Sequence, residues 1–189
     1  MNSHFNFLAP FYDRAIPFER LEQTLKVLDL PHAGTLLDAG GGTGRVAEAL
    51  RPHIGSVIVA DVSRGMLAQA RQKDLAVASA ETERLPFADG TFDRVLMVDA
   101  LHHVVHQGET IRELYRVLKP GGRLVIEEPD LRTFSVKLIA IAEKLALMRS
   151  HFLAPAQIAA LFSPEVKVRV ESEEHTAWII AEKDGGQNK

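Results

Sequence analysis

The chain has no cysteine in its 189 residues. Disulfides, thiolate metal sites and a cysteine nucleophile are therefore excluded. It has no excess of one charge either: 22 Lys and Arg stand against 25 Asp and Glu, a net charge of −3. Such a balance argues against a broad electrostatic nucleic-acid surface. No uninterrupted apolar run reaches the length of about 18 residues that a spanning helix needs, so no integral membrane segment is expected. Residues 1–10 carry neither a basic n-region nor a long apolar h-region, so no signal peptide is expected and the chain reads as cytoplasmic. What is present is ordinary for a globular protein: 46% hydrophobic and 25% charged residues, in a length that suits one domain with a sizeable core.

The most informative stretch is Leu36-Leu37-Asp38-Ala39-Gly40-Gly41-Gly42-Thr43-Gly44-Arg45-Val46-Ala47. The apolar run ahead of it, from Gly34, reads as a buried strand. Val46, Ala47, Ala49 and Leu50 behind it fall at helical spacing, so the glycines form a strand-to-helix turn. Glycine tolerates positive φ and lets a ligand approach the backbone closely. The following helix is expected to aim unpaired N–H groups at that ligand. A dinucleotide fingerprint, G-x-G-x-x-G, would need glycine where Arg45 stands. The register here is Asp38-x-Gly40-x-Gly42-x-Gly44 instead.

Further strands are expected at 57–61, 75–79, 92–98 and 123–128, with helices at 64–73 and about 109–118 between them. Ser63 is the expected N-cap of the first of these helices. Lys119-Pro120-Gly121-Gly122 reads as a sharp helix stop. Alternation of strands and helices means a parallel sheet with right-handed crossovers, and ligands at the C-terminal strand ends. Those ends carry Asp38, Asp61, Ser79, Asp99 and Glu128. Asp61, 23 residues past Asp38, suits an acid that accepts hydrogen bonds from ribose hydroxyls. Residues 166–171, expected half-buried, and 175–182 read as a closing antiparallel hairpin. The fold class expected is α/β: a Rossmann-like, doubly wound, seven-stranded sheet, mostly parallel, with a C-terminal antiparallel hairpin. The organisation expected is one domain over residues 1–183, with residues 1–30 and 130–155 as lids over substrate and cofactor, and 184–189 as a disordered tail.

The acid-glycine register resembles motif I of the class I S-adenosylmethionine (SAM) methyltransferases. Leu85-Pro86-Phe87-x-Asp89-x-x-Phe92-Asp93-x-Val95 and Leu114-x-Arg116-Val117-Leu118-Lys119-Pro120-Gly121-Gly122-x-Leu124 resemble the segments before and after that family's fourth strand. Together the three cover most of residues 35–128, and they are most similar to the ubiquinone/menaquinone-biosynthesis C-methyltransferase group. The resemblance implies SAM as cofactor and S-adenosylhomocysteine (SAH) as product. It implies that Asp38, Ala39, Gly40, Gly42 and Gly44 line the methionine end, that Asp61 takes the ribose, and that Val62 and Met66 pack on adenine. Glu81 stands where the family has a shorter Asp near the adenine amino group, with Thr82 beside it. Val98 and Asp99 are implied near the methionine portion and the methyl group. Phe5-Asn6-x-x-Ala9-x-x-Tyr12-Asp13 is similar to a lead-in that closes over the cofactor, with Tyr12 against it. The alternative is that these aromatics simply cover the core.

Methyl transfer from a sulfonium needs orientation above all. A base is required only if the acceptor must lose a proton. His103, which fits the family's Leu-x-His pattern, and His102 beside it are the candidate bases, against a structural role for either. His151, Tyr12 and Glu128 are further candidates or pocket wall. His102, His103 and His106 have no acid or cysteine cluster at ligand spacing, so no metal is expected. The apolar stretch 134–148 is a lid, a dimer interface or a peripheral membrane contact. The function expected is methylation of a small, apolar, quinone- or phenol-like acceptor, by a monomer or homodimer without a nucleic-acid partner. The alternatives are a SAM- or SAH-binding regulatory protein and, third, an NAD-dependent oxidoreductase.

Overall fold

The computed structural model describes residues 13, 17–130 and 151–186. Tyr12, the stretch 134–148, most of the two expected lids and the last three residues lie outside the described residues. The elements in chain order are α1 (Leu21–Leu28), β1 (His32–Ala39), α2 (Arg45–Leu50), β2 (Ile54–Asp61), α3 (Arg64–Gln72), β3 (Ala76–Ser79), β4 (Phe92–Val98), α4 (Gln107–Val117), β5 (Leu118–Pro129), α5 (Pro155–Ala159), β6 (Lys167–Glu173) and β7 (Thr176–Glu182).

All seven strands form one sheet in the order β3-β2-β1-β4-β5-β7-β6. Strands β1 to β5 are parallel, and β7 runs antiparallel to both β5 and β6. This is the expected fold class. The chain winds outward from β1 to β3, then returns to β4 on the other side of β1. The strand order therefore reverses between β1 and β4, and a crevice opens there at the carboxyl ends.

Successive residues of a strand face opposite sides, and here both sides are covered. Leu37, Val95, Met97, Leu124, Ile126 and Ile179 pack on one face with Ile111 and Leu114 of α4 and Ile158 of α5. Leu36, Val59, Leu96, Val125, Trp178 and Ile180 pack on the other with Val27 and Leu28 of α1, Leu50 of α2 and Leu67 of α3. Double-sided burial is why these strands read as nearly continuous apolar runs. Ser63 does cap α3: its Oγ accepts from Met66 N at 3.2 Å.

Two expectations differ in detail. Strand β5 begins at Leu118, inside the stretch read as a stop. Phe92 pairs with Leu118 and Arg94 with Arg123, so Lys119–Gly122 form an irregular lead-in rather than a loop. Lys183 Nζ reaches Tyr115 O at 2.9 Å and Leu118 O at 2.8 Å, which satisfies carbonyls at the end of α4. Strand β6 is mostly exposed, with Val170 at 40%. It is the sheet's edge and has one strand neighbour.

Candidate functional site

The carboxyl end of β1 leads into a turn where Gly40, Gly42 and Gly44 all have positive φ, between 55° and 71°. At Gly44 a side chain would also strike Leu75, 2.4 Å from where its Cβ would stand. The turn's donors are used within the protein. Gly40 N and Gly41 N donate to Ala60 O at 2.7 and 3.3 Å, and Gly44 N donates to Gly41 O at 2.9 Å. Gly42 N donates to Asp61 Oδ2 at 3.0 Å. The N–H groups expected to face a ligand are thus largely engaged, because the end of β2 runs beside the turn and takes them.

Carboxylates dominate the crevice instead. Asp38 is 1% exposed, and neither of its oxygens has a side-chain hydrogen-bond partner among the described residues; the nearest donor is the backbone N–H of Ala47 in α2. Burial pushes its carboxyl up to about 7; nearby Arg45 and the Ala47 N–H pull it down and Asp61 adds to the rise. Asp61 has its carboxylate fixed by Gly42 N and by Ser63 N, the latter at 2.7 Å, and burial raises its pKa. Asp99 follows β4 with φ +50°, and its N–H donates to Glu127 O at 2.9 Å. Burial, together with Glu127 and Glu128, raises its carboxyl to about 6. Two cations approach it loosely: Arg45 at 3.5 Å and Arg20 at 4.0 Å.

The end of β5 places two acids on opposite faces. Glu127 accepts from Arg20 at 2.6 and 2.8 Å and from Trp178 Nε1 at 2.8 Å. Glu128 accepts from Leu101 N at 2.8 Å and lies 2.6 Å from His102 Nδ1. His102 is buried; its ring stacks on Phe152, centroids 4.4 Å apart, and lies 4.0 Å from the ring of His103. His103 is half-buried, and burial plus the neighbouring imidazole lower its pKa to about 4.

Asp38, the glycines, Asp61, Val98 and Asp99 thus meet at the β1/β4 crevice. Ala39 is fully buried beside them. Met66 is buried in α3, and Val62 beside Asp61 is left 41% exposed. Glu81 is exposed and bridges to Arg84, while the buried Thr82 hydroxyl pairs with Thr110 at 3.2 Å. Asp13, next to Tyr12 in sequence, is hydrogen-bonded to Thr43 of the glycine turn and 2.5 Å from Lys73 Nζ. Sequence reasoning missed Arg20, Glu127 and Phe152. Two adjacent acids inside the apolar strand Leu124–Pro129 were the available signal for Glu127. Arg20 and Phe152 lie in no motif. Among the described residues no three His, Asp or Glu side chains gather as a metal-ligand set.

Chemically, this is a site short of positive charge. Three acids, Asp38, Asp61 and Asp99, line it, against Arg45 beside Asp38 and Asp99 and Arg20 at the edge of Asp99, and Arg20 is held mainly by Glu127. Unpaired buried charge is costly, so the crevice suits a cationic ligand.

Residues 37–126 match the family described as a methyltransferase domain. A demethylmenaquinone methyltransferase of Mycolicibacterium vanbaalenii is 36% identical over 156 residues, which is 82% of this chain and 66% of that protein. A ubiquinone/menaquinone biosynthesis C-methyltransferase of Pseudomonas aeruginosa is 36% identical over 116 residues, 56% of this chain and 45% of that protein. The chain thus spans from somewhat under half to about two thirds of the length of these relatives. The solved structure of a SAM-dependent methyltransferase from Thermotoga maritima shares the fold, with a TM-score of 0.80 at 23% identity over 97% of this chain and 100% of that one. By sequence match, strand order and fold, the chain belongs to the class I SAM-dependent methyltransferases.

Proposed function

We propose that this chain methylates a small, apolar acceptor of quinone or phenol type, with SAM as the methyl donor. The observation that carries this reading is Asp38, a fully buried carboxylate without a side-chain hydrogen-bond partner among the described residues, beside the glycine turn. SAM supplies an activated methyl group on a sulfonium, together with an ammonium group, and so brings positive charge to a crevice richer in carboxylates than in cations. Asp38 would hold the ammonium. Asp99, already crowded by Glu127 and Glu128, would face the positively charged methionine portion with Val98. Asp61 keeps acceptor capacity for ribose hydroxyls after taking Gly42 N and Ser63 N, since each carboxylate oxygen accepts more than once. Exposed Val62 and buried Met66 would pack on adenine, with Glu81 and Thr82 at its far edge. Gly40, Gly42 and Gly44 let the backbone approach the ligand closely.

The acceptor class is supported by the names of the two relatives. Val105, just past the histidine turn, is 57% exposed. A phenolic or enolic acceptor must lose a proton, and His102 and His103 stand at the end of β4 to take it. Residues 1–30 and 130–155 would close over the bound molecules; the bonds from Asp13 to Thr43 and Lys73 support that role for the N-terminal segment.

Titration calorimetry with SAM, SAH and NAD tests the cofactor, and labelled SAM with a panel of quinols and phenols tests transfer. SAM and SAH should bind and NAD should not. No SAM binding at millimolar concentration would sink the reading; binding without transfer to any acceptor would favour a regulatory SAM-binding protein.

A further inference from the structure

We propose that the outer edge of β6 is a self-recognition surface, on which two copies of this chain pair their β6 strands antiparallel about Val170 and join their sheets into one. The crevice chemistry leaves this edge unused. It is the longer edge of the sheet, seven residues against four in β3 at the other end. An edge strand offers backbone N–H and C=O groups to any strand that can lie beside it. Two residues, Glu174 and His175, join β6 to β7, so Glu173 and Thr176 are the hydrogen-bonded pair that closes the hairpin. Counting back by twos, Glu171, Arg169 and Lys167 turn their backbone groups to β7, and Val170 turns its own outward. The Val170 side chain is 40% exposed, and nothing in the methyl-transfer site accounts for it.

The order of charges selects a second copy rather than any other strand. Lys167 and Arg169 precede Val170, Glu171 and Glu173 follow it, and all four share one face of the strand. Laid antiparallel on itself about Val170, the strand sets Lys167 opposite Glu173 and Arg169 opposite Glu171, each pair occurring twice by symmetry. Parallel pairing in register sets like charge on like. A slip of two residues sets Glu171 on Glu171 or Arg169 on Arg169, so one register alone is complementary. Within one chain Arg169 Nε already lies 3.0 Å from Glu171 Oε1, and pairing adds a second opposite charge to each across the dyad. Exposed pairs of this kind contribute little to affinity, but they fix partner and register. The dyad stands at right angles to the sheet, so both α5 helices fall on the same side. There α5 packs against β6 and leaves a groove of about 400 Å³ bordered by Ala154, Pro155, Ala156 and Val170. The second copy's Val170 comes to the mouth of that groove and covers it with apolar surface.

The test is sedimentation velocity on the full chain at low salt, with two charge reversals. Wild type should be dimeric at about 100 μM. Arg169→Glu and Glu171→Arg each put like charges across the dyad, and each alone should weaken the dimer at least about tenfold. Mixed in equal amounts, the two variants regain opposite charges at both pairs and should form a heterodimer. Both side chains reach solvent, so each variant should keep the wild-type urea midpoint when monomeric. In wild type, hydrogen exchange at the Val170 amide should slow as the chain is concentrated from about 1 to about 100 μM. A monomeric wild type gives the edge to a different partner and overturns the proposal. A dimer that survives both single substitutions, a mixture that stays monomeric, or a Val170 amide indifferent to concentration overturns it as well.

Discussion

Replacing Asp38 by Asn should make the protein more stable and a worse binder at once. In the folded chain its carboxyl is raised by burial from 3.8 to about 7. The folded state therefore holds a proton that the unfolded state has already released, and stability falls as pH rises from about 4 toward about 7. At 1.36 kcal/mol per pH unit, the full penalty is about 4 kcal/mol at about pH 8, and under about 2 kcal/mol at about pH 5. Asn carries no charge and escapes both. Urea unfolding at the two pH values should show the variant more stable than wild type, with the larger gain at the higher pH. The gain should approach but not exceed about 4 kcal/mol, because an amide in the same pocket also lacks partners and gives some of it back. SAM affinity, measured by calorimetry on the same samples, should fall by about 1.5–3 kcal/mol, the range for a hydrogen bond to a charged group. A variant less stable than wild type at about pH 8, or a gain independent of pH, would refute the idea that Asp38 is a buried charge waiting for a cation.

Three further outcomes follow from the same crevice. Asp61→Ala should weaken SAM binding by roughly 1–3 kcal/mol, since it removes the acceptor proposed for the ribose hydroxyls; unchanged affinity removes Asp61 from the site. Binding of cationic SAM should weaken as pH drops through about 7 and then about 6, where Asp38 and Asp99 become neutral, and binding of uncharged-sulfur SAH should weaken less. Parallel titrations across that range would expose equal slopes, the outcome that contradicts it. Ser63→Ala should cost about 1 kcal/mol of unfolding free energy through loss of the α3 cap, read by urea midpoint at constant slope.

The parallel half of the sheet was legible because its strands are buried on both faces. Leu36-Leu37 and Val95-Leu96-Met97 feed opposite core layers and leave unbroken apolar runs. Asp38, Asp61 and Asp99 were legible because an acid ending such a run is conspicuous. The state of the glycine turn was not. Whether its N–H groups face a ligand depends on Ala60 and Asp61 of the adjacent strand, and a turn's own residues do not encode its neighbour. Edge position was equally hidden: the alternation in Val166–Glu171 is what a covered strand and an edge strand share. Arg20 and Phe152 enter through long-range contacts, to Glu127 over 107 positions and to His102 over some 50, that no local period announces.

The two acids at the tip of β5 make the closing hairpin a gauge for the whole crevice. Glu127 lies opposite Trp178 and Glu128 opposite Ala177 on β7. One acid fastens the run into α1 on one side of the sheet; the other fastens the histidine turn on the other. Sliding β5 by a single residue against β7 would exchange their faces, leaving the indole and the imidazole both facing the wrong carbon chain. The antiparallel strand, which contributes no residue to the chemistry proposed, thereby sets the alignment between the half that grips the donor and the half that readies the acceptor.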